Sequence, residues 1–202
     1  QPPKSLLDLG LEADECMDLV RVLLDSVRRQ AAVYLPDGVD IGDPVFSPRN
    51  AVNSLRFEQP DYGILSWKPG RGVNGRLDYL SKVFAERGIE EEPVQILSDI
   101  WTHWLTAPRS PWRQALQAST GGRQGTTFAL KPEWIQFNKY SLDHLPYRCD
   151  RCRRIWWRSV SAVCPSYRCQ GRLGVADRDE MEKNYYRRLY TGLRPIGLRV
   201  RE

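Results

Sequence analysis

A chain of 202 residues that is 41% hydrophobic and 27% charged is long enough to bury a core as one or two domains, which excludes disorder over most of its length. No stretch approaches the roughly 18 consecutive apolar residues of a membrane-spanning helix, and the opening Gln1-Pro2-Pro3-Lys4 holds no signal-peptide core, so the sequence reads as an excised fragment or a processed soluble, cytoplasmic chain with no membrane partner. The net charge of +5 hides an asymmetry: residues 1–92 carry 11 Lys+Arg against 16 Asp+Glu, whereas residues 93–202 carry 19 against 9. Either this is a solvated surface with an acidic face that packs against another domain, or the basic half is an electrostatic footprint for nucleic acid.

In chain order, Met17, Val20, Leu24, Val27, Ala31 and Tyr34 recur at steps of three and four and predict an amphipathic helix that Pro36-Asp37-Gly38 stops. From Pro36 to Pro60 the pattern dissolves into Asp, Gly, Pro and Asn, as in a long irregular connection. A second helix is expected from Arg76 to Arg87, closed by Gly88. Pro93 suits the first position of a third, whose Ile96, Leu97, Ile100, Trp101, Trp104 and Leu105 form one face that demands burial. Ser110-Pro111 predicts a fourth, short helix carrying Trp112, Ala115 and Leu116 and ending at Gly121-Gly122. Thr126–Leu130, a Lys131-Pro132-Glu133 break and Trp134–Phe137 then suggest a strand, a turn and a second strand or short helix. Helices followed by a hairpin point to a winged helix-turn-helix, a fold that binds nucleic acid or serves purely as a protein contact.

The strongest chemical signal is Cys149-x2-Cys152 followed by Cys164-x4-Cys169. Two short-spaced thiol pairs let two tight turns offer four sulfurs to one tetrahedral zinc ion, and the Trp-, Ile- and Val-rich segment Arg153 to Val163 reads as the short hairpin of a zinc ribbon. Two disulfides or four unconnected thiols are the competing readings. Four thiolates leave no open coordination position, so such a zinc is structural. Cys16 stands apart as a small, partly buried helical side chain.

Between Pro146 and Gly174 lie seven arginines and the single acid Asp150. Arginine forks two donors to phosphate oxygens, and Trp156 and Trp157, adjacent on an expected strand, point to opposite faces, so one packs inward while the other can stack on an unpaired base. The candidate nucleic-acid contacts are Arg123, Lys131, Arg148, Arg151, Arg153, Arg154, Trp157 and Arg158; the alternative is that both tryptophans are core and the arginines pair with acids elsewhere in a larger protein. No phosphate-binding Gly-x4-Gly-Lys-Ser/Thr occurs, Gly70–Gly75 reads as a turn, and His103 and His144 flank no nucleophile, so no catalytic residue is expected.

Several stretches carry a resemblance: Tyr147-Arg148-Cys149-Asp150-Arg151-Cys152 through Cys169, Asn184 to Tyr190, Leu198 to Glu202, Leu23 to Arg29 and Phe128 to Trp134. They resemble the region around the four-cysteine zinc module of large bacterial DEAD/DEAH-box helicases, including Druantia-type antiphage defence and DNA-repair helicases, although the Cys164-x4-Cys169 gap is longer than the commoner two-residue spacing. The resemblance implies an accessory segment of an ATP-driven DNA translocase, with ATP and Mg2+ bound elsewhere in the parent chain. It implies as partners DNA, single-stranded or duplex, the helicase motor and defence-system proteins. The expected fold class is α+β: an acidic helical region with irregular loops over 1–92, a winged-helix-like region over 93–145, a four-cysteine zinc ribbon over 146–174, and a helix and strand leading toward a motor lobe over 175–202. A module docking a partner subunit and a stand-alone small DNA-binding protein are the rival functions.

Overall fold

The computed structural model describes residues 1–44, 52–121, 125–136 and 144–183, with Gly192. Arg123, Phe137 and the resembling stretches Asn184–Tyr190 and Leu198–Glu202 lie outside the described residues. The fold is α+β.

A short helix α1, Lys4–Leu7, precedes the long helix α2, Ala13–Arg29, whose start is fixed by a capping box between Glu12 and Glu15. Its buried stripe runs Cys16, Leu19, Val20, Val22, Leu23 and Val27. The helix ends about two turns short of the predicted stop at Pro36. Ala31 adopts a left-handed φ of 59°, and the chain then runs along the sheet, where Val33 bridges Leu130 and the Tyr34 N–H donates to the Leu130 carbonyl at 2.7 Å. The periodic Ala31 and Tyr34 thus belong to a strand-like exit, a pairing that local periodicity does not reveal.

The irregular connection contains a strand, β1, Ser54–Arg56, which pairs in parallel with β2, Ile64–Ser66. Helix α3, Gly75–Arg87, starts where the Asn74 side chain accepts the Leu77 N–H at 3.0 Å, and stops at Gly88, whose φ of 65° costs glycine nothing. Helix α4, Pro93–Asp99, opens on proline as expected and continues as a wider π-helical turn through Ile100–Leu105. Its six predicted face residues are all buried, while His103 is exposed. Trp101 meets Trp67, Phe57 and, edge-on at 5.4 Å, Phe128, and Trp104 stacks on Trp112 at 4.6 Å.

Ser110 caps as anticipated, accepting the Trp112 N–H at 3.2 Å, but the helix is a single 3-10 turn, Pro111–Ala115. Leu116 is not on it. Leu116–Gly121 forms strand β3, paired antiparallel in full register with β4, Gly125–Leu130. The hairpin therefore lies upstream of the expected one, and Pro132–Trp134 is a 3-10 turn. Since β4 also pairs antiparallel with β1, the sheet order is β2-β1-β4-β3. One apolar cluster takes side chains from both sides of Glu92 and extends to Val160 and Val163.

The cysteine segment builds a second sheet, ordered β6-β5-β7, from β5, Tyr147–Cys149, β6, Ile155–Trp156, and β7, Leu173–Val175. No hairpin forms within Arg153–Val163. Instead β6 pairs back onto β5, and the remainder sends Val160 and Val163 into the main core. A short helix α5, Arg178–Glu182, follows. No helix among the described residues is long and apolar enough to cross a membrane.

Candidate metal centre

The four cysteine sulfurs lie within 4.8 Å of one another, and two of the separations, Cys149–Cys169 and Cys152–Cys164, are 3.7 Å. A disulfide needs about 2.05 Å, whereas four sulfurs at about 2.3 Å from a tetrahedral ion sit about 3.8 Å apart. The cluster has the size of a metal site, and these residues can hold a metal ion.

Backbone geometry explains the clustering. Cys149 ends β5, and a tight turn brings Cys152 back with its N–H directed at the Cys149 sulfur at 3.4 Å and Arg153 in the left-handed region at φ 62°. On the other side, Arg168 at φ 57° turns the chain into Cys169, whose sulfur accepts the Gly171 N–H at 3.5 Å. Gly171 is obligatory: a Cβ there would lie 2.5 Å from the Cys149 sulfur and 2.6 Å from Arg151 Cβ and Asp150 Oδ1. Such N–H donors aimed at the sulfurs are the outer partners that orient metal-binding thiolates.

Burial pushes the Cys149 thiol up and Cys164 up to about 12. Burial pushes Cys152 up as well, but hydrogen bonds from the Ser166 hydroxyl, the Arg154 backbone and the neighbouring thiols outweigh it and bring the group down to about 6. Cys149 and Cys164 are therefore protonated at neutral pH until a metal displaces their protons. Affinity must rise with pH, because each released proton adds about one power of ten per pH unit. Zinc binding followed by chelator competition at pH 6.5 and 7.5 should differ by about a hundredfold or more; equal affinities would mean that thiolates are not the ligands.

The arginines divide into two groups. Arg158 pairs with Asp18 of α2 at 2.6 Å, and Arg172 forks onto Glu86 of α3 at 2.8 and 3.0 Å. Arg87 of α3 joins Ser161 at 2.7 Å and also Glu15, and Arg29 lies 4.2 Å over the buried Trp156 ring. Part of the charge asymmetry is thus an internal fit between acids of α2 and α3 and the cysteine segment. By contrast Arg151, Arg153 and Arg154 are exposed and make no side-chain ion pair or hydrogen bond among the described residues. Arg148 is half-buried on β5 opposite Ile155, and Trp157, which lies just past the end of β6, is 58% exposed while Trp156 on the strand is buried. Lys131 follows β4 in the other sheet and is half-buried.

Sequence reasoning passed over Lys82, Asp78, Ser166 and Gly171, all of which touch the cysteine loops. Only Gly171 carried a signal, as a glycine two residues after a candidate ligand. No family model matches this chain, and neither a curated protein nor a solved structure does.

Proposed function

We propose that this chain is a non-catalytic, zinc-stabilised nucleic-acid-binding segment of an ATP-dependent DNA helicase or translocase, with ATP and Mg2+ held by the motor. The observation that carries the reading is the exposed group Arg151, Arg153 and Arg154 beside the exposed Trp157, on a unit shaped by the cysteine cluster. Exposed guanidinium groups bind phosphate oxygens, and an exposed indole offers a stacking face to an unpaired base. Zinc fits the four-sulfur donor set better than any hard cation, which takes oxygen ligands.

The order helix α2, strand β1, helices α3 and α4, hairpin β3–β4, with β1 pairing to β4, supports a winged-helix body. In that body the helix that ordinarily enters the major groove is α4, yet its exposed Gln95, Thr102 and His103 supply no permanent cation. The grip is therefore assigned to the cysteine unit, with Arg148 contributing from β5. Arg158 and Lys131 rank below the others, because Asp18 already neutralises Arg158 and Lys131 belongs to the other sheet.

Counterion release makes the test quantitative. Oligonucleotide affinity should fall with salt at a log–log slope of about −2 to −3 for three or four phosphate contacts on a single strand. Combined Arg151→Glu, Arg153→Glu and Arg154→Glu should lower affinity more than tenfold at low salt and flatten that slope. No binding at low salt rejects the reading. The exposed Ile155, Tyr167 and Val175 on the same unit favour a second function, docking of a partner subunit; the triple variant would then lose complex formation and keep its affinity for DNA.

A further inference from the structure

The two cysteine loops are closed by different means. The Cys149–Cys152 turn closes on itself, with the Arg153 N–H donating to the Cys149 carbonyl at 3.1 Å and the Cys152 N–H to the Cys149 sulfur. The Cys164–Cys169 loop, two residues longer, has an internal bond from the Cys169 N–H to the Ser166 carbonyl at 3.0 Å and is held in addition from outside by a residue of α3. The Lys82 ammonium donates to the carbonyls of Cys164 at 2.8 Å, Ser166 at 3.1 Å and Cys169 at 3.0 Å, three acceptors on one loop that share its three N–H groups with a carboxylate of its own helix. Asp78, one helical turn earlier, pairs with the ammonium at 2.9 Å, and the same carboxylate oxygen accepts the Arg168 N–H at 3.2 Å. Both side chains are nearly buried, at 12% and 13% exposure, so water competes weakly for these contacts.

We propose that Lys82 is a positioning residue of the metal centre and that it couples metal occupancy to helix α3. The proposal rests on the four cysteines binding zinc. With its three carbonyl acceptors in place, the loop holds Cys164 and Cys169 within 4.8 Å of each other and of the other two sulfurs. By linkage, the factor by which Lys82 strengthens zinc binding equals the factor by which zinc strengthens the hold of Lys82 on the loop. Because α3 contributes Tyr79, Leu80, Val83 and Phe84 to the main core, occupancy is felt in the helical body and not only in the cysteine unit.

The test compares Lys82→Met, which keeps the aliphatic stem and removes the donors, with Glu86→Gln, which loosens only the exposed pair to Arg172. Zinc affinity is read by chelator competition, and melting temperature with and without zinc. Lys82→Met should weaken zinc about 10- to 100-fold and shrink the zinc-induced rise in melting temperature; Glu86→Gln should change zinc affinity less than twofold. Should the methionine variant fail to fold, Lys82→Gln, which retains one donor group, supplies the same comparison. Wild-type zinc affinity in the Lys82 variant, or an equal loss of stability with and without zinc, overturns the proposal. A wild-type chain that takes up no zinc overturns the metal reading itself, and this proposal with it.

Discussion

Removing the zinc proposed for the four cysteines, by a strong chelator or by Cys149→Ser combined with Cys169→Ser, is expected to unfold residues 147–175 while leaving α2, α3, α4 and the four-stranded sheet assembled. The local apolar cluster explains why. It consists of Cys149, Trp156, Cys164 and Leu173, with Tyr147 and the other two cysteines half-buried around it, so two of its four fully buried members are themselves candidate ligands. A unit of about thirty residues with so small a core does not fold without a metal or covalent staples. Its three strands span three, two and three residues, too few to hold by pairing alone.

Loss of this unit also reaches the main core, since Val160 and Val163 pack there. Exposing two valine side chains costs about 3 kcal/mol or somewhat more, which in a chain of this size lowers the melting temperature by about 6–12 °C. Hydrogen exchange resolves the two effects. Protection of Cys149, Arg153, Asp150 and Leu173 amides, all donors within or across the unit, should vanish, whereas the paired amides of β3 and β4 should slow down or speed up only with global stability. One zinc per chain in the native protein completes the expectation. Retained protection after chelation would show that contacts with α2 and α3 suffice to hold the unit.

The features legible in the sequence were those decided by a few neighbouring residues. Gly88 after α3, Pro93 at the head of α4 and Ser110-Pro111 each act within one turn, and each lies where local rules put it. The cysteine cluster was legible for the same reason, because its two pairs are each closed by a loop of a few residues. What depends on partners far along the chain was not. Strand β2 has its pairing decided by β1, and Leu116 fits a helical face by spacing but is drawn into extended backbone by its pairing with Leu130. The tract Arg153–Val163 has strand-like composition, yet the partner of Ile155 and Trp156 is β5, and Val160 and Val163 answer to a core built by α2 and α3. Charge was legible as a total and not as a pattern of pairs: Arg158 and Arg172 find Asp18 and Glu86 only once the fold exists. Lys82 left no trace in the sequence, since its acceptors are backbone carbonyls and carbonyls carry no sequence information.

Replacing Arg76 should be the most damaging single change away from the cysteines. Its side chain is 5% exposed and no carboxylate pairs with it among the described residues. Its donors reach the Trp67 carbonyl at 2.9 Å, the Ser66 carbonyl, the Ser26 hydroxyl at 2.9 Å and the Gln30 amide oxygen at 3.4 Å. It joins the end of β2, the C-terminal end of α2 and the start of α3 at one point, and it packs 5.5 Å from the Trp67 ring. Two effects oppose each other in Arg76→Met. Burial lowers the guanidinium to about 10, a sign that holding the charge here is unfavourable, and methionine relieves that.

Against this, the acceptors remain. The Trp67 carbonyl keeps a donor in the Asn74 side chain at 3.1 Å, but the Ser66 carbonyl and the Gln30 amide oxygen lose theirs. The half-buried Ser66 carbonyl left without this donor costs about 1–3 kcal/mol and the lost hydrogen bonds to a charged donor about as much, whereas Gln30 is exposed and its amide turns to water, so relief of desolvation is outweighed and the net loss should be about 2–4 kcal/mol. Arg76→Lys restores the charge but not the fork, since a single ammonium cannot span both β2 and α2, and should recover less than half. Urea unfolding with saturating zinc measures both variants. A midpoint shift equivalent to less than about 1 kcal/mol for Arg76→Met would mean that water enters and satisfies the acceptors, and that the three elements meet without the guanidinium holding them.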